Sequence, residues 1–348
     1  MKKILAILLA ATMLLALAAC GTAADTATEP PADETAPASE APASEAPADE
    51  GDAAETYVVG ICQQMTHVAL DSATEGFKAA LADILGEDAV TYSEGNAGGE
   101  QPNCVTIIDG LVSEGVDLIL ANATWPLQAA AAATADIPIL GTSITDYATA
   151  LNIDDWTGTV GGNISGTSDL APLDQQAAMI RELFPDAANI GLLYCSGEPN
   201  SVYQIETIRG YLEDMGYTCE AYAFTDVNDL SSVTQTACDA SDVIYVPTDN
   251  TVASNTGIVD NICQPAGVPV VAGEEGIAKG CGVATLSISY YDLGVTTGKM
   301  AAQILTGEAD ISSMPIAYAE NFTPKYNPVI CEALGLTLPE NYVAIDME

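Results

Sequence analysis

A two-lobed α/β fold is what the chain predicts from Tyr57 onward, each lobe a doubly wound parallel sheet, with a ligand cleft between the lobes and hinge crossings joining them. Three observations predict it. Short apolar runs alternate with amphipathic segments, the pattern of parallel strands covered by helices on both faces. The alternation pauses once, over the Gly-, Thr-, Asn- and Asp-rich stretch from Asp146 to Asp169, and then restarts. The restart also repeats the opening: "DLILANAT" (Asp117 to Thr124) matches "DVIYVPTD" (Asp242 to Asp249), and "IPILGTS" matches "VPVVAGE", each after a helical segment.

Taken in order, "TYVVGIC" reads as a strand, and "ALDSATEGFKAALADIL" as a helix with Leu70, Phe77, Leu81, Ile84 and Leu85 on one side. "AVTYS" is a strand, "NCVTIIDGLVSEG" a helix, "DLILA" a strand, "PLQAAAAAT" a helix and "IPILGTS" a strand. After the pause come the helix "PLDQQAAMIRELF", the strand "NIGLLYC", the helix "SVYQIETIRGYLEDMG" and the strand "YTCEAYAF". The helix "DLSSVTQTACDA", the strand "DVIYV", the helix "ASNTGIVDNICQPAG" and the strands "VPVVAG" and "GVATLSIS" complete the second unit. Ligands of open α/β sheets sit beyond the carboxyl ends of the strands, where both lobes carry polar clusters.

The N-terminus is set apart from the fold. Lys2 and Lys3 precede an apolar run from Ile4 to Leu17, and small residues then lead to Cys20, so residues 1–19 read as an export signal peptide. "LAAC" resembles the bacterial lipobox, which implies cleavage before Cys20, lipidation of Cys20 and anchoring at the outer face of the cell membrane. Residues 20–56 then form an acidic Ala/Pro/Ser linker with no aromatic or basic residue, expected to be disordered and to tether the lobes to the membrane.

The chain has 8 Lys+Arg against 49 Asp+Glu, a net charge of −41, and loses two more positive charges with the signal. Such a chain repels polyphosphate, so nucleic acid is excluded as a partner. It has no GxSxG, HExxH, GxxxxGK[ST] or GxGxxG motif and a single histidine, so the reading is not an enzyme, with no cofactor. Of its cysteines none is spaced CxxC, and His67 is the one imidazole, so no metal site is expected.

The segments "HVALDSATEGF", "GNAGGEQ", "ANATWPLQAAAAAT", "GGNISGTSDLAPLDQQ", "IGLLYCSGEPNS", "YVPTDNTV" and "YYDLGVTTGKMAAQILTGE" run in order from about residue 57 to 338. As a set they resemble the substrate-binding proteins of ABC transporters of the type 1 periplasmic-binding fold, in the branch associated with tryptophan and tyrosine uptake. The resemblance implies an extracytoplasmic receptor that captures a small amino acid-like solute by lobe closure and delivers it to an ABC permease and its ATPase. The best guess for that solute is tryptophan, tyrosine or phenylalanine; a sensing module of the same fold, or a branched-chain amino acid or sugar as cargo, stays open. The family's chain order implies a first lobe from 57–164 plus 290–320 and a second from 165–289 plus 321–348, and a monomer is expected. It also implies hinges near Asn163 to Ser168, Ile288 to Tyr290 and Glu320 to Thr323.

Position by position, the resemblance implies ligand contacts from His67, Asn96, Thr124, Trp125, Thr145 and Asp146 in the first lobe. From the second it implies Asn200, Ser201, Thr248, Asp249, Asn250 and Glu274. The chain departs from the family at Trp125, with its proline one place later at Pro126, and at the Gly273–Gly276 loop, where two glutamates stand.

The residue types fit the chemistry of an amino acid. A helix start with its hydroxyl, as at Thr124, suits a carboxylate or serves simply as a cap. Asp146, Asp249 and Glu274 can hold an ammonium through charge-assisted hydrogen bonds, or cap a helix. Asp249 is the favoured one, in the cluster after "DVIYV". Trp125 and His67 can flank an aromatic ring, or pack between the lobes and cap a helix. The family's chain order puts Cys62 and Cys104 in the first lobe and the other six non-lipidated cysteines in the second; the cysteines are either small buried residues with free thiols or form at least one bridge within a lobe.

Overall fold

The computed structural model describes residues 56–319 and 321–347, and the expected signal segment, Cys20 and the linker up to residue 55 lie outside them. The first half of the chain lays down β1 (Tyr57–Gln63), α1 (Val68–Leu85), β2 (Val90–Asn96), α2 (Gln101–Glu114) and β3 (Leu118–Asn122). It continues with α3 (Thr124–Ala133), β4 (Ile139–Ile144), α4 (Tyr147–Leu151) and β5 (Ile164–Ser168). The second half starts with α5 (Leu173–Leu183), β6 (Asn189–Cys195), α6 (Pro199–Asp214), β7 (Thr218–Phe224), α7 (Val227–Ala240) and β8 (Val243–Val246). Then come α8 (Asn250–Ala253), α9 (Thr256–Ala266), β9 (Val270–Ala272), α10 (Glu275–Cys281) and β10 (Ala284–Ser287).

The chain next returns to the first lobe with α11 (Tyr290–Leu305) and β11 (Ala317–Tyr318), and ends in the second with β12 (Thr323–Tyr326), α12 (Pro328–Leu334) and β13 (Val343–Ala344). One sheet has the order β11-β5-β4-β3-β1-β2 and the other β13-β12-β10-β9-β8-β6-β7. Every paired strand is parallel except β12 against β10. The α/β architecture with two parallel-sheet lobes therefore stands as expected.

Both sheets are buried on both faces, which is why β3, β4 and β8 are apolar or small without alternation. In the first lobe one face packs Ile108, Ile119, Leu127 and Tyr147, and the other packs Val59, Phe77, Leu118 and Met300. The second lobe repeats this with Ile180, Leu192, Ile208 and Tyr245 on one face and Leu193, Phe224, Ile244 and Val259 on the other.

Helix α11 is the element by which the late chain is bound into the first lobe, and it lies hard against α1. A Cβ on Gly76 would stand 2.1 Å from the Tyr291 carbonyl oxygen, and one on Gly294 2.0 Å from that of Ala73. Only glycine permits this approach of two backbones.

Two expectations need correction. The stretch Asn163 to Ser168 was expected as part of the pause and a hinge, yet Ile164–Ser168 is β5, a fully buried strand of the first sheet. Its sequence "ISGTS" lacks the apolar run of a buried strand because hydroxyl pairing replaces apolar packing. Thr167 Oγ1 lies 3.2 Å from Thr142 Oγ1 and 2.8 Å from Thr297 Oγ1, and Tyr147 Oη donates to the Thr167 carbonyl. The first crossing thus follows Ser168. The expected helix "ASNTGIVDNICQPAG" also starts later than expected, as α9 at Thr256, because a separate short helix, α8, ends at Ala253 and the chain turns at Ser254 and Asn255. There the Asn255 side chain donates back to the Thr251 carbonyl at 2.8 Å.

Candidate functional site

Parallel strands all end at one edge of their sheet, so each lobe presents its strand-end loops together. The two edges meet. His67, the residue before α1, places Nε2 3.1 Å from Oδ1 of Asn250 at the start of α8. Ser254, just beyond α8, donates to the Thr66 carbonyl at 3.2 Å and lies 2.9 Å from Met65 Sδ. A cavity of about 330 Å³ opens here, lined by Met65, Asn96 and Trp125 of the first lobe and Cys195, Thr251 and Ser254 of the second. Its size is that of a small-molecule site. A larger cavity, about 500 Å³, lies instead beside the crossings at Ser287–Ser289 and Ala317–Ala319. We take the smaller one as the site, because both strand-end edges line it.

The three acids foreseen as ammonium partners are each occupied as helix caps. Asp146 Oδ1 accepts from Thr149 N at 2.7 Å and caps α4. Glu274 accepts from Gly276 N at 2.6 Å and from Ile277 N, capping α10. Asp249 receives Val252 N at 2.9 Å on one oxygen, and Cys195 N at 2.7 Å and Ser201 Oγ at 2.8 Å on the other. Asp249 therefore braces β6, α6 and α8 from within the second lobe. Burial, with the nearby Glu198 charge, pushes its carboxyl up to about 7, and burial likewise raises Glu274 to about 7.

The other foreseen residues divide between framework and cleft. Asn96 donates to Thr66 Oγ1 at 3.1 Å and accepts from Gly98 N, so it shapes the loop after β2. Thr124 is buried in the first turn of α3, and Trp125 N donates to Gln64 Oε1 at 3.2 Å. Thr145 is buried at the end of β4, its carbonyl accepting from Ser168 Oγ. Asn200 Nδ2 donates to the Thr248 carbonyl at 3.0 Å, and Thr248 N donates to Gln204 Oε1 at 3.0 Å.

Besides Asn122 Oδ1 at the end of β3, five buried polar atoms at the strand-end edges have no hydrogen-bond partner: Gln64 Nε2, His67 Nδ1, Ser143 Oγ, Asp169 Oδ1 and Asn200 Oδ1. Unpaired buried polar atoms cost about 1–3 kcal/mol each, so a set of them at the strand ends of both lobes points to a polar ligand. Of the five, Gln64, Ser143 and Asp169 were missed in the sequence. Asp169 follows β5 directly and is 3 % exposed. Its Oδ2 accepts from Tyr290 Oη at 2.8 Å, leaving Oδ1 unpaired. Burial raises its pKa, and the Tyr290 and Thr145 hydroxyls oppose the rise. Glu198, also missed, is fully buried and holds the start of α8. It accepts from Asn250 N and Nδ2 on one oxygen and from Thr251 N and Oγ1 on the other. The signal available was position: Gln64 and Asp169 are each the first residue after a strand.

Among the described residues no group of His, Cys, Asp and Glu is arranged to hold a metal.

Comparison with known proteins agrees with this geometry. The family described as ABC transporter substrate binding protein matches residues 58–347. A tyrosine-binding protein of Clostridioides difficile (strain R20291) is 32% identical over 267 residues, 76% of this chain and 77% of that one. Among solved structures, an ABC domain in complex with L-Trp from Streptococcus pneumonia is 33% identical, covering 84% of this chain and 100% of its own, with a TM-score of 0.80. A ligand-free, open substrate binding protein with adhesive properties from Clostridium difficile has the same identity and coverage but a TM-score of 0.65. At equal identity the fit is better to the complex, in keeping with the contacts that join the two lobes here. With its described lobes matched almost throughout, this chain belongs to the ABC transporter substrate binding protein family.

Proposed function

We propose that the chain captures an aromatic amino acid, tryptophan, tyrosine or phenylalanine, between its lobes and hands it to a membrane permease driven by a partner ATPase. The family is extracytoplasmic and non-catalytic, which fits a receptor that binds and releases its cargo unchanged. The observation that carries the reading is the set of unpartnered polar atoms at the strand ends of both lobes. The set that forms the cleft is His67, Asn96, Thr124, Trp125, Thr145, Asn200, Ser201, Thr248 and Asn250, shaped by the capping acids Asp146, Asp249 and Glu274, to which Gln64, Ser143, Asp169 and Tyr290 are added. In this set Asp169 Oδ1 takes the ammonium, because the foreseen acids are filled as caps. The start of α3 at Thr124 takes the carboxylate, since a helix N-terminus favours an anion. Trp125, on the cavity wall, flanks the ring. The tryptophan- and tyrosine-binding relatives support the aromatic class.

Cys20 carries the lipid in this reading, and the acidic linker lets the lobes reach the permease. The import role is tested by uptake of labelled tryptophan and tyrosine in cells with and without the chain. Loss of uptake on deletion supports import. Unchanged uptake with intact binding assigns the chain to sensing instead.

A further inference from the structure

We propose that Cys238 and Cys263 form a redox-active dithiol that closes to a disulfide stapling α7 to α9. The two sulfurs lie 3.2 Å apart, with their residues 25 positions apart in the chain. Both belong to the apolar cluster around Leu230, Ala237 and Val259. A disulfide requires the sulfurs to move about 1 Å closer, within the side-chain freedom of two helical cysteines. Other second-lobe thiols are differently engaged. Cys195, Cys281 and Cys331 lie 3.6, 3.4 and 3.3 Å from the backbone carbonyls of Thr225, Ile277 and Val283.

Exposure decides which pair can react. Cys62 and Cys104 of the first lobe also share a thiol–thiol hydrogen bond, but both are wholly buried. Cys238 keeps 8 % of its surface exposed, whereas Cys263 keeps 1 %. Cys238 is therefore the thiol that meets an oxidant, and the hydrogen bond from Cys263 lowers its pKa. The oxidant is a small-molecule disulfide such as oxidised glutathione. The Cys238 thiolate attacks one of its sulfurs, forming a mixed disulfide and expelling one thiolate. Cys263 then attacks the Cys238 sulfur, and the second thiolate leaves. Two cysteine thiols and one external disulfide become one internal disulfide and two external thiols, each taking one of the two protons.

The staple bears on the cleft because of what lies between the two cysteines. The segment they enclose contains β8, Thr248, Asp249, Asn250, α8 and Ser254, and so both second-lobe side chains that bond to the Met65–His67 loop. Closing this loop restricts the unfolded chain and is expected to raise the midpoint of thermal unfolding by roughly 5–10 °C.

The test is peptide mapping of the full chain after reduction and after incubation with oxidised glutathione, with free thiols alkylated under denaturing conditions. The expected result is a linked peptide containing Cys238 and Cys263 only in the oxidised sample. Cys62→Ser keeps that link, and Cys263→Ser leaves Cys238 as a glutathione adduct. Recovery of both cysteines as free alkylated thiols after oxidation, or of Cys238 joined to a different cysteine, overturns the proposal. The wild-type map alone decides it, should either variant fail to fold.

Discussion

His67 of the first lobe and Asn250 of the second stand 3.1 Å apart, Nε2 to Oδ1, and join the edges of two separate sheets. The direction of this bond follows from its neighbours. Asn250 Nδ2 donates to the Glu198 carboxylate at 2.6 Å, so Oδ1 faces the imidazole and His67 Nε2 carries the proton. Burial lowers the His67 pKa, which keeps the ring neutral and leaves Nδ1 as a bare acceptor. The latch is one neutral hydrogen bond, worth about 0.5–1.5 kcal/mol.

His67→Ala is expected to weaken ligand binding about three- to tenfold by removing that bond from the closed state. Calorimetric titration measures the loss, and small-angle scattering should show a larger open fraction at subsaturating ligand. An unchanged affinity would remove the latch from the closing energetics.

Asp169→Asn is expected to weaken amino acid binding by about 1.5–3 kcal/mol if its free Oδ1 grips the ammonium. Asp249→Asn is expected to act differently, because an amide in place of a carboxylate already filled by two backbone N–H groups and Ser201 turns a donor toward donors. Its chief effect is a lower melting temperature. A comparison of affinity and melting temperature for the two variants separates grip from brace.

The pH dependence of stability follows from the same acids. Asp249 and Glu274 titrate near 7 in the folded protein, above their ordinary values of 3.8 and 4.5. The folded state thus holds more protons than the unfolded state between about pH 4 and 7, and their contribution to stability is lost as pH rises through 7. His67 acts in the opposite sense: its folded pKa is lowered from 6.5, so its contribution is lost as pH falls below that value. Asp169 and Asp260, which burial also raises, add to these two acids and outweigh the one histidine, so the melting temperature declines from about pH 5 to pH 7 and then levels off. Glu274→Gln should flatten the decline.

Much of the fold was legible because it rests on patterns that survive in sequence. Apolar strands such as β3, β4 and β8 announce a doubly covered sheet, and the repeat of polar strand ends announces two lobes. Strand β5 was illegible for a physical reason: its hydroxyls are satisfied by Thr142, Tyr147 and Thr297, partners far away in the chain. The latch side chains His67 and Asn250 were legible through the family likeness. That Asp249 is fully used by backbone donors while Asp169 keeps a free oxygen could be learned only from the three-dimensional arrangement. Both are acids just past a strand, and nothing local distinguishes them.

Gly76→Ala is expected to destabilise the first lobe by about 1–3 kcal/mol, since its Cβ would meet the Tyr291 carbonyl oxygen at 2.1 Å and force α1 and α11 apart. The exposed Gly110→Ala, whose Cβ would meet nothing within 4 Å, serves as the control and should leave the unfolding midpoint within about 0.5 kcal/mol or raise it. Chemical denaturation measures both.

Trp125 offers a direct optical reading of the cleft. Trp156 stacks on Tyr147 at 6.5 Å, away from the cavity that Trp125 lines. In a Trp156→Phe background, adding L-tyrosine should shift or quench the remaining Trp125 emission, whereas Trp125→Phe should abolish the response.

The measurement that bears most directly on the central claim is calorimetric titration of the chain after unfolding and refolding to strip carried-over ligand. L-Tryptophan, L-tyrosine and L-phenylalanine are titrated in turn, with L-leucine and a pentose as controls. The account predicts saturable binding of one site by at least one aromatic amino acid, far tighter than either control. Saturable binding of leucine or the pentose with no response to the aromatic set would contradict it.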